Sequence, residues 1–313
     1  MSDAAAAMTT SREPHPSPSL RVLLYSIVDY AGLFPPASLD MAAATREYAQ
    51  HRNGPDAWAL GRFVLPAARL EEFEAAAKEV LPRDAASSWA LSALLGSDLE
   101  EDLGRIERFN ERHGDARRGA VLVDTVELKT HAARDVMRAS DLLDRRFDTY
   151  MEVPVHEDPA EMIAAIAQTV AKAKIRTGGV TPDAFPTSAQ VLRFLQRCIA
   201  HEVGFKATAG LHHPWRAEYA LTYAPDAPRG TMFGFLNVLL CTVALLGGLK
   251  EDMALAVLEE RDVLAVAFDG DGARWRGQRF DTDLLERARE SMAAFGSCSF
   301  REPMDDLRGV QLL

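Results

Sequence analysis

Short apolar segments alternate with stretches of helical periodicity through most of the chain. Gly61 to Leu65 precedes a helical stretch from Leu70 to Val80, and Trp89 to Leu95 precedes Leu99 to Arg112. Ala120 to Asp124 is followed by Ala132 to Leu143, and Thr149 to Val155 by Pro159 to Val170. Lys172 to Thr177 and Gly204 to Thr208 make a fifth and a sixth strand, with a helix from Ser188 to Glu202 between them. Strand and helix in regular alternation specify a parallel sheet. The pattern predicts an α/β fold, a TIM-barrel-like (β/α)8 domain over residues 58–313, with an open doubly wound sheet as the alternative. The last two strands are expected to be irregular, because Val263 to Phe268 and Ala273 to Gly277 flank Asp269-Gly270-Asp271-Gly272, a hairpin signal. The final helix is read over Asp283 to Ala294, followed by a small-residue loop from Gly296 to Phe300.

The flanks read differently. Residues 1–18 are rich in Ala, Ser, Thr and Pro without a basic start or an apolar core, and are expected to be a disordered tail, not a secretory signal. Residues 19–57 read as a helical N-terminal addition: apolar Leu20 to Val28, a loop from Asp29 to Ala37 that its Pro pair keeps from being helical, then a helix from a Ser38 cap to about Arg52. Met232 to Leu249 is almost wholly apolar and approaches the length of a membrane span. It reads instead as a helix buried within the protein or at a subunit contact, the latter leaving a homo-oligomer open.

Charge narrows the partners. The 313 residues carry a formal net charge of −11, which repels nucleic acid and anionic membranes, and no basic block interleaved with aromatics offsets it. Cys198, Cys241 and Cys298 are odd in number and far apart, so neither a disulfide framework nor a zinc cluster is signalled and a reducing, cytoplasmic setting fits. No metal and no cofactor are called for.

Interior strands of a parallel barrel should be close to continuously apolar, so charges inside them need a reason. They occur at Glu152, at Lys174 and Arg176, and at Lys206. Alternation puts Lys174 and Arg176 on one face opposite Ile175, and Lys206 with Thr208 opposite Phe205 and Ala207. The charged set is thus expected to point into the barrel near its C-terminal mouth, where barrel enzymes place their chemistry. One carboxylate against three cations leaves positive charge uncompensated, which favours a small anionic substrate over a purely structural ion pair.

Neighbouring loops extend the candidate set. Thr177-Gly178-Gly179 follows the fifth strand, and the glycines would let backbone N–H groups approach an anion that Arg176 holds bidentately. His212 and His213 follow the sixth; one of them is expected to face the site as acid or base. Asp29 and Tyr30 lie in a Pro- and Gly-rich loop that could cap the mouth or plug the barrel. Asp124, Thr125 and Glu127 are lesser polar candidates.

Gly204-Phe205-Lys206-Ala207-Thr208-Ala209-Gly210 resembles the Lys-x-Ser/Thr-x-Gly strand of class I aldolases of the deoxyribose-phosphate aldolase type. Lys174-Ile175-Arg176-Thr177-Gly178-Gly179 is similar to that family's second lysine strand, with one residue more and in reversed order along the chain. The resemblance implies a lyase in which Lys206 forms a Schiff base; the neighbouring charges add the expectation that Lys174 lowers its pKa by like-charge proximity and Glu152 moves protons. Asp29 to Pro36 also resembles a segment of uncharacterised bacterial proteins, which implies no activity. Two readings stay open beside the aldolase: a non-covalent isomerase or decarboxylase acting on an anionic carbonyl compound, and a protein that binds such a metabolite without turning it over.

Overall fold

A computed structural model describes residues 16–313. Eight parallel strands close into a barrel: β1 (Val28–Tyr30), β2 (Leu60–Pro66), β3 (Trp89–Leu94), β4 (Val121–Lys129), β5 (Asp148–Glu152), β6 (Lys172–Arg176), β7 (Phe205–Thr208) and, far along the chain, β13 (Met292–Ser297). Each pairs with the next, and β13 pairs with both β7 and β1 to close the ring. The alternative of an open sheet is thereby excluded.

Side-chain alternation sets the two faces of the wall. Phe63 packs edge-on against Tyr48 and tilted against Phe73, Phe205 packs against Phe194, and Phe295 stacks on Phe235. These rings turn outward under the helices, so residues one position away, such as Arg62 and Lys206, turn into the barrel. The helices that cover the wall carry their own start signals. Asp98 caps Leu99–His113, Asp281 caps Thr282–Ser291, and Thr187 with Gln190 forms a capping box on Ser188–Ala200.

Two expectations about the ends are corrected. Residues 19–57 do not stand ahead of the barrel, because Val28–Tyr30 within them is its first strand; the following helix, Met41–Arg52, is capped by Asp40 and not by Ser38. The helix expected to be the last ends at Ser291, Met292–Ser297 is the eighth strand where helix and loop were expected, and a further helix, Arg301–Gly309, follows it. The tail reading for residues 1–15 falls outside the described residues, whereas Pro18 already opens a helix, Pro18–Leu24, capped by Ser17.

The expected irregularity lies in the long connection between β7 and β13. It holds the antiparallel pair β8 (Ala217–Ala220) and β9 (Arg229–Met232), helices Phe235–Leu246 and Glu251–Leu258, and a three-stranded sheet, β10 (Val266–Phe268), β11 (Gly272–Trp275) and β12 (Gln278–Asp281). Phe235–Leu246 is the apolar stretch, and it is buried within this chain from Phe235 to Ala244. Its one amide, Asn237, donates to Val257 O at 3.0 Å and Glu260 O at 2.9 Å and accepts the Arg216 N–H at 2.8 Å. Among the described residues no helix is long and apolar enough to cross a membrane.

Candidate active site in the barrel and at its mouth

Inside the barrel, five acidic and basic side chains form an unbroken alternating chain. Asp29 Oδ2 accepts from Lys206 Nζ at 2.6 Å; Lys206 donates again to Glu127 Oε1 at 2.6 Å. Glu127 Oε2 lies 2.8 Å from Lys174 Nζ, which lies 2.8 Å from Glu152 Oε2. All five are buried, Lys206 to 1% exposure and Glu152, the most open, to 9%. The register explains the line-up: Glu152 pairs with Lys174 across β5 and β6, and Lys174 with Lys206 across β6 and β7.

Further contacts fix the ends and the hub. Ser92 donates to Glu127 Oε1 at 2.7 Å, and the Arg62 backbone N–H donates to Asp29 Oδ1 at 2.8 Å. A Cβ on Gly61 would stand 2.5 Å from Asp29 Oδ1, so only glycine lets β2 come this close to the carboxylate. The Lys206 ammonium also lies 5.2 Å from the Tyr150 ring centroid.

The charge balance differs from the expectation. Three carboxylates face two lysines along this chain, because Asp29 and Glu127 join Glu152, while Arg176 is exposed at the end of β6 and the inward-turned Arg62 is paired with Asp124 at 2.7 Å. Burial would disfavour the charge on Glu127, but Lys174 and Lys206 outweigh it and hold the carboxyl far below the usual range. Burial likewise opposes the charge on Lys206, yet Asp29 and Glu127 raise its pKa above that of a free lysine. Lys174 therefore does not act on Lys206 as a bare like charge, since Glu127 sits between them.

The other predicted residues fall in two places. Tyr30 turns outward, donates to Glu47 at 2.8 Å and packs against Tyr48 and His51, so it belongs to the helix layer and not to a substrate pocket. Thr177 donates to Ala209 O at 2.6 Å, tying the loops after β6 and β7 together. A Cβ on Gly178 would meet Phe185 at 2.4 Å and one on Gly179 would meet Ala184 at 2.7 Å. These glycines admit the loop that folds over them, a packing role where an anion cradle was expected. Thr208, half-buried, faces Gly296 across the β7–β13 pair.

Both histidines sit at the mouth, held by one helix face. In Arg301–Gly309, Glu302 and Asp306 are four residues apart and so share a face. Glu302 Oε2 lies 3.3 Å from His212 Nδ1, and Asp306 accepts from His213 Nδ1 at 2.6 Å while Tyr219 stacks on the His213 ring. His212 Nδ1 also has Ser297 Oγ at 3.3 Å and Cys298 Sγ at 3.9 Å. Burial opposes its protonation, but Cys298 and Glu302 outweigh burial and push its pKa up to about 9.

This shift has a consequence for stability. The folded pKa of about 9 lies above the ordinary 6.5, so the contribution is complete below the latter and lost as pH rises through the former. Wild-type protein is expected to lose roughly 2–3 kcal/mol across that window, read by urea denaturation at about pH 6 and about pH 9.5. His212→Gln should remove most of this slope; an unchanged slope would refute the assignment.

Sequence reasoning missed Ser92 and Glu302; Ser297 and Cys298 lie in the small-residue loop it picked out, without a role for either side chain. A separate cleft of about 650 Å3 opens beside the ends of β3 and β4, lined among others by Asp98, Lys129, Thr130, Asp135 and Arg138. Thr130 links it to the barrel interior by donating to the Glu152 backbone oxygen at 3.0 Å. The cleft holds no nucleophile paired with a base, so the barrel interior and mouth are the stronger candidate for chemistry. Comparison of the chain with protein-family models and with curated proteins gives no match.

Proposed function

We propose that this protein is a metabolic enzyme that moves a proton on a small anionic carbonyl compound, an isomerase or decarboxylase in which Lys206 and Lys174 stay charged. The observation that carries the reading is the buried Asp29–Lys206–Glu127–Lys174–Glu152 chain. A closed parallel barrel is a fold that commonly carries enzymes. A protein that only binds a metabolite has no need to bury three carboxylates against two lysines, at a desolvation cost that well-packed apolar residues would avoid.

In this reading an ammonium group polarises the substrate carbonyl and stabilises the enolate, formed either as a carboxylate of the chain takes the α-proton, later returned at the neighbouring position, or as a C–C bond breaks with release of CO2 and the enolate carbon is then protonated. Glu152, the most open member of the chain, is assigned the proton transfer. Arg176 makes no ion pair among the described residues and is assigned the anionic end of the substrate.

A second reading, the Schiff-base lyase, is favoured by one specific observation. Asp29 and Glu127 both lie 2.6 Å from Lys206 Nζ, so a proton leaving the ammonium has two acceptors within reach, although the same contacts favour the charged lysine in the absence of substrate. Incubation with a panel of 2-oxo carboxylic acids in D2O, followed by NMR and by borohydride trapping, separates the readings. Deuterium entering the α-carbon without a borohydride adduct is the expected result. A reduced adduct on Lys206 would replace the proposal with the imine, and neither signal from any member of the panel would overturn both.

A further inference from the structure

Outside the charge chain, one group of nucleophilic and titratable side chains has no part in the mechanism above. Cys298 follows β13 directly, and His212 lies in the loop after β7, the strand paired with β13. Sγ of Cys298 is 3.9 Å from His212 Nδ1 and 3.6 Å from Tyr223 Oη. Glu302 lies 3.3 Å from both His212 Nδ1 and Tyr223 Oη, and so joins the two partners of the thiol. Cys298 also stands just ahead of helix Arg301–Gly309, whose N-terminal end favours negative charge. The other cysteines differ: Cys198 and Cys241 lie on helices, fully buried in the apolar core.

We infer that Cys298 is a nucleophilic thiol, whose thiolate is held by the His212 imidazolium with the Tyr223 hydroxyl beside it, that adds to an electrophilic carbonyl carbon at the barrel mouth. The arrangement has the parts such chemistry needs: a nucleophile, a cation that stabilises its thiolate, and a carboxylate, Glu302, that holds the cation. The Sγ–H proton passes to solvent as the thiolate pairs with the imidazolium. Sγ then bonds to the carbonyl carbon as its C=O π bond breaks, the new oxyanion, beside the Tyr223 hydroxyl, takes a proton from His212, and His212 regains one from solvent. The product is a hemithioacetal, and no oxidant or further reactant is consumed. Cys298 is 4% exposed and Tyr223 57% exposed, so the tyrosine is the solvent-facing partner of the thiol. The inference uses none of the buried lysines and stands whether or not the proton-transfer reading does.

Alkylation of the native protein by iodoacetamide, mapped by mass spectrometry, tests it. Cys298 is expected to react while Cys198 and Cys241 stay unmodified. His212→Gln should slow Cys298 at least about tenfold near neutral pH, because the thiolate and not the thiol is the nucleophile. At about pH 9.5, where a thiol ionises without help, the variant should approach the wild-type rate. Circular dichroism and urea midpoints of the variant identify a folding failure, in which case Tyr223→Phe and Glu302→Gln, both on the partly exposed side, take its place with smaller expected losses. Equal rates in wild type and folded variants would overturn the inference. A deficit that persists undiminished at the higher pH would overturn it too, because the histidine would then control access and not ionisation.

Discussion

Glu127→Ala is expected to destabilise the fold by about 3–5 kcal/mol, because removing one partner of a buried ion pair leaves charge uncompensated. The loss is concentrated here since one carboxylate serves Lys174, Lys206 and Ser92 at once. Without it two ammonium groups face each other across adjacent strands, each with a single remaining carboxylate, and the Ser92 hydroxyl loses its acceptor. For a chain of this size the melting temperature should fall by roughly 5–10 °C. Glu127→Gln keeps the shape and the Ser92 bond, so it should fall between alanine and wild type. Urea denaturation near neutral pH measures both, and a Glu127→Ala cost under about 1 kcal/mol would mean that the carboxylate is not the charged hub the geometry makes it.

Lys206→Met should abolish turnover, by about 10³-fold or more, if its ammonium stabilises an enolate in a water-excluded site. Its stability should also gain more than the wild type's does in mild acid. In the wild type, the Glu127 carboxyl is depressed below its unfolded value, so its contribution is present above the usual carboxylate range and lost only in strong acid. In Lys206→Met, Asp29 and Glu127, formerly joined by one nitrogen at 2.6 Å each, are left near one another without it. Like charge and burial then raise one of the two carboxyls above its unfolded value, and that variant gains stability as pH falls. Denaturation of both proteins at about pH 8 and about pH 5 checks the difference in slope, to which the His212 contribution is common; parallel curves would count against the pairing. Lys206→Arg keeps the charge but not an imine-forming amine, so measurable residual turnover in that variant supports the non-covalent reading.

The parts of the site that were legible in the sequence share one property: a charge set between apolar neighbours in a short strand. Glu152, Lys174 and Lys206 all carry that mark. Glu127 carries it as well, in Val126-Glu127-Leu128, but the strand was ended at Asp124, while β4 runs on to Lys129 past a register shift against β3. The count of charges was therefore inverted, and a surplus of cations was expected where carboxylates prevail. The closing strands were illegible for a different reason. β1 is three residues long, and β13 reads Met-Ala-Ala-Phe-Gly-Ser, with no β-branched residue and no loop between it and the helix before it. Only the rest of the barrel makes those residues strands. The contacts of Cys298, His212 and Glu302 are likewise tertiary, with no spacing that announces them.

Barrel closure and the charge chain meet at Asp29. Its carboxylate reaches past β13 to Lys206 on β7, a partner 177 residues away, and thereby fastens the first strand of the barrel to the far side of the last. β1 and β7 do not pair directly, and β13 alone stands between them. The ion pair therefore spans the seam at which the cylinder closes. Any fluctuation that unzips the three-residue first strand would strip Lys206 of a counter-ion, so in this molecule the seam of the architecture is also a switch in the electrostatics of its centre.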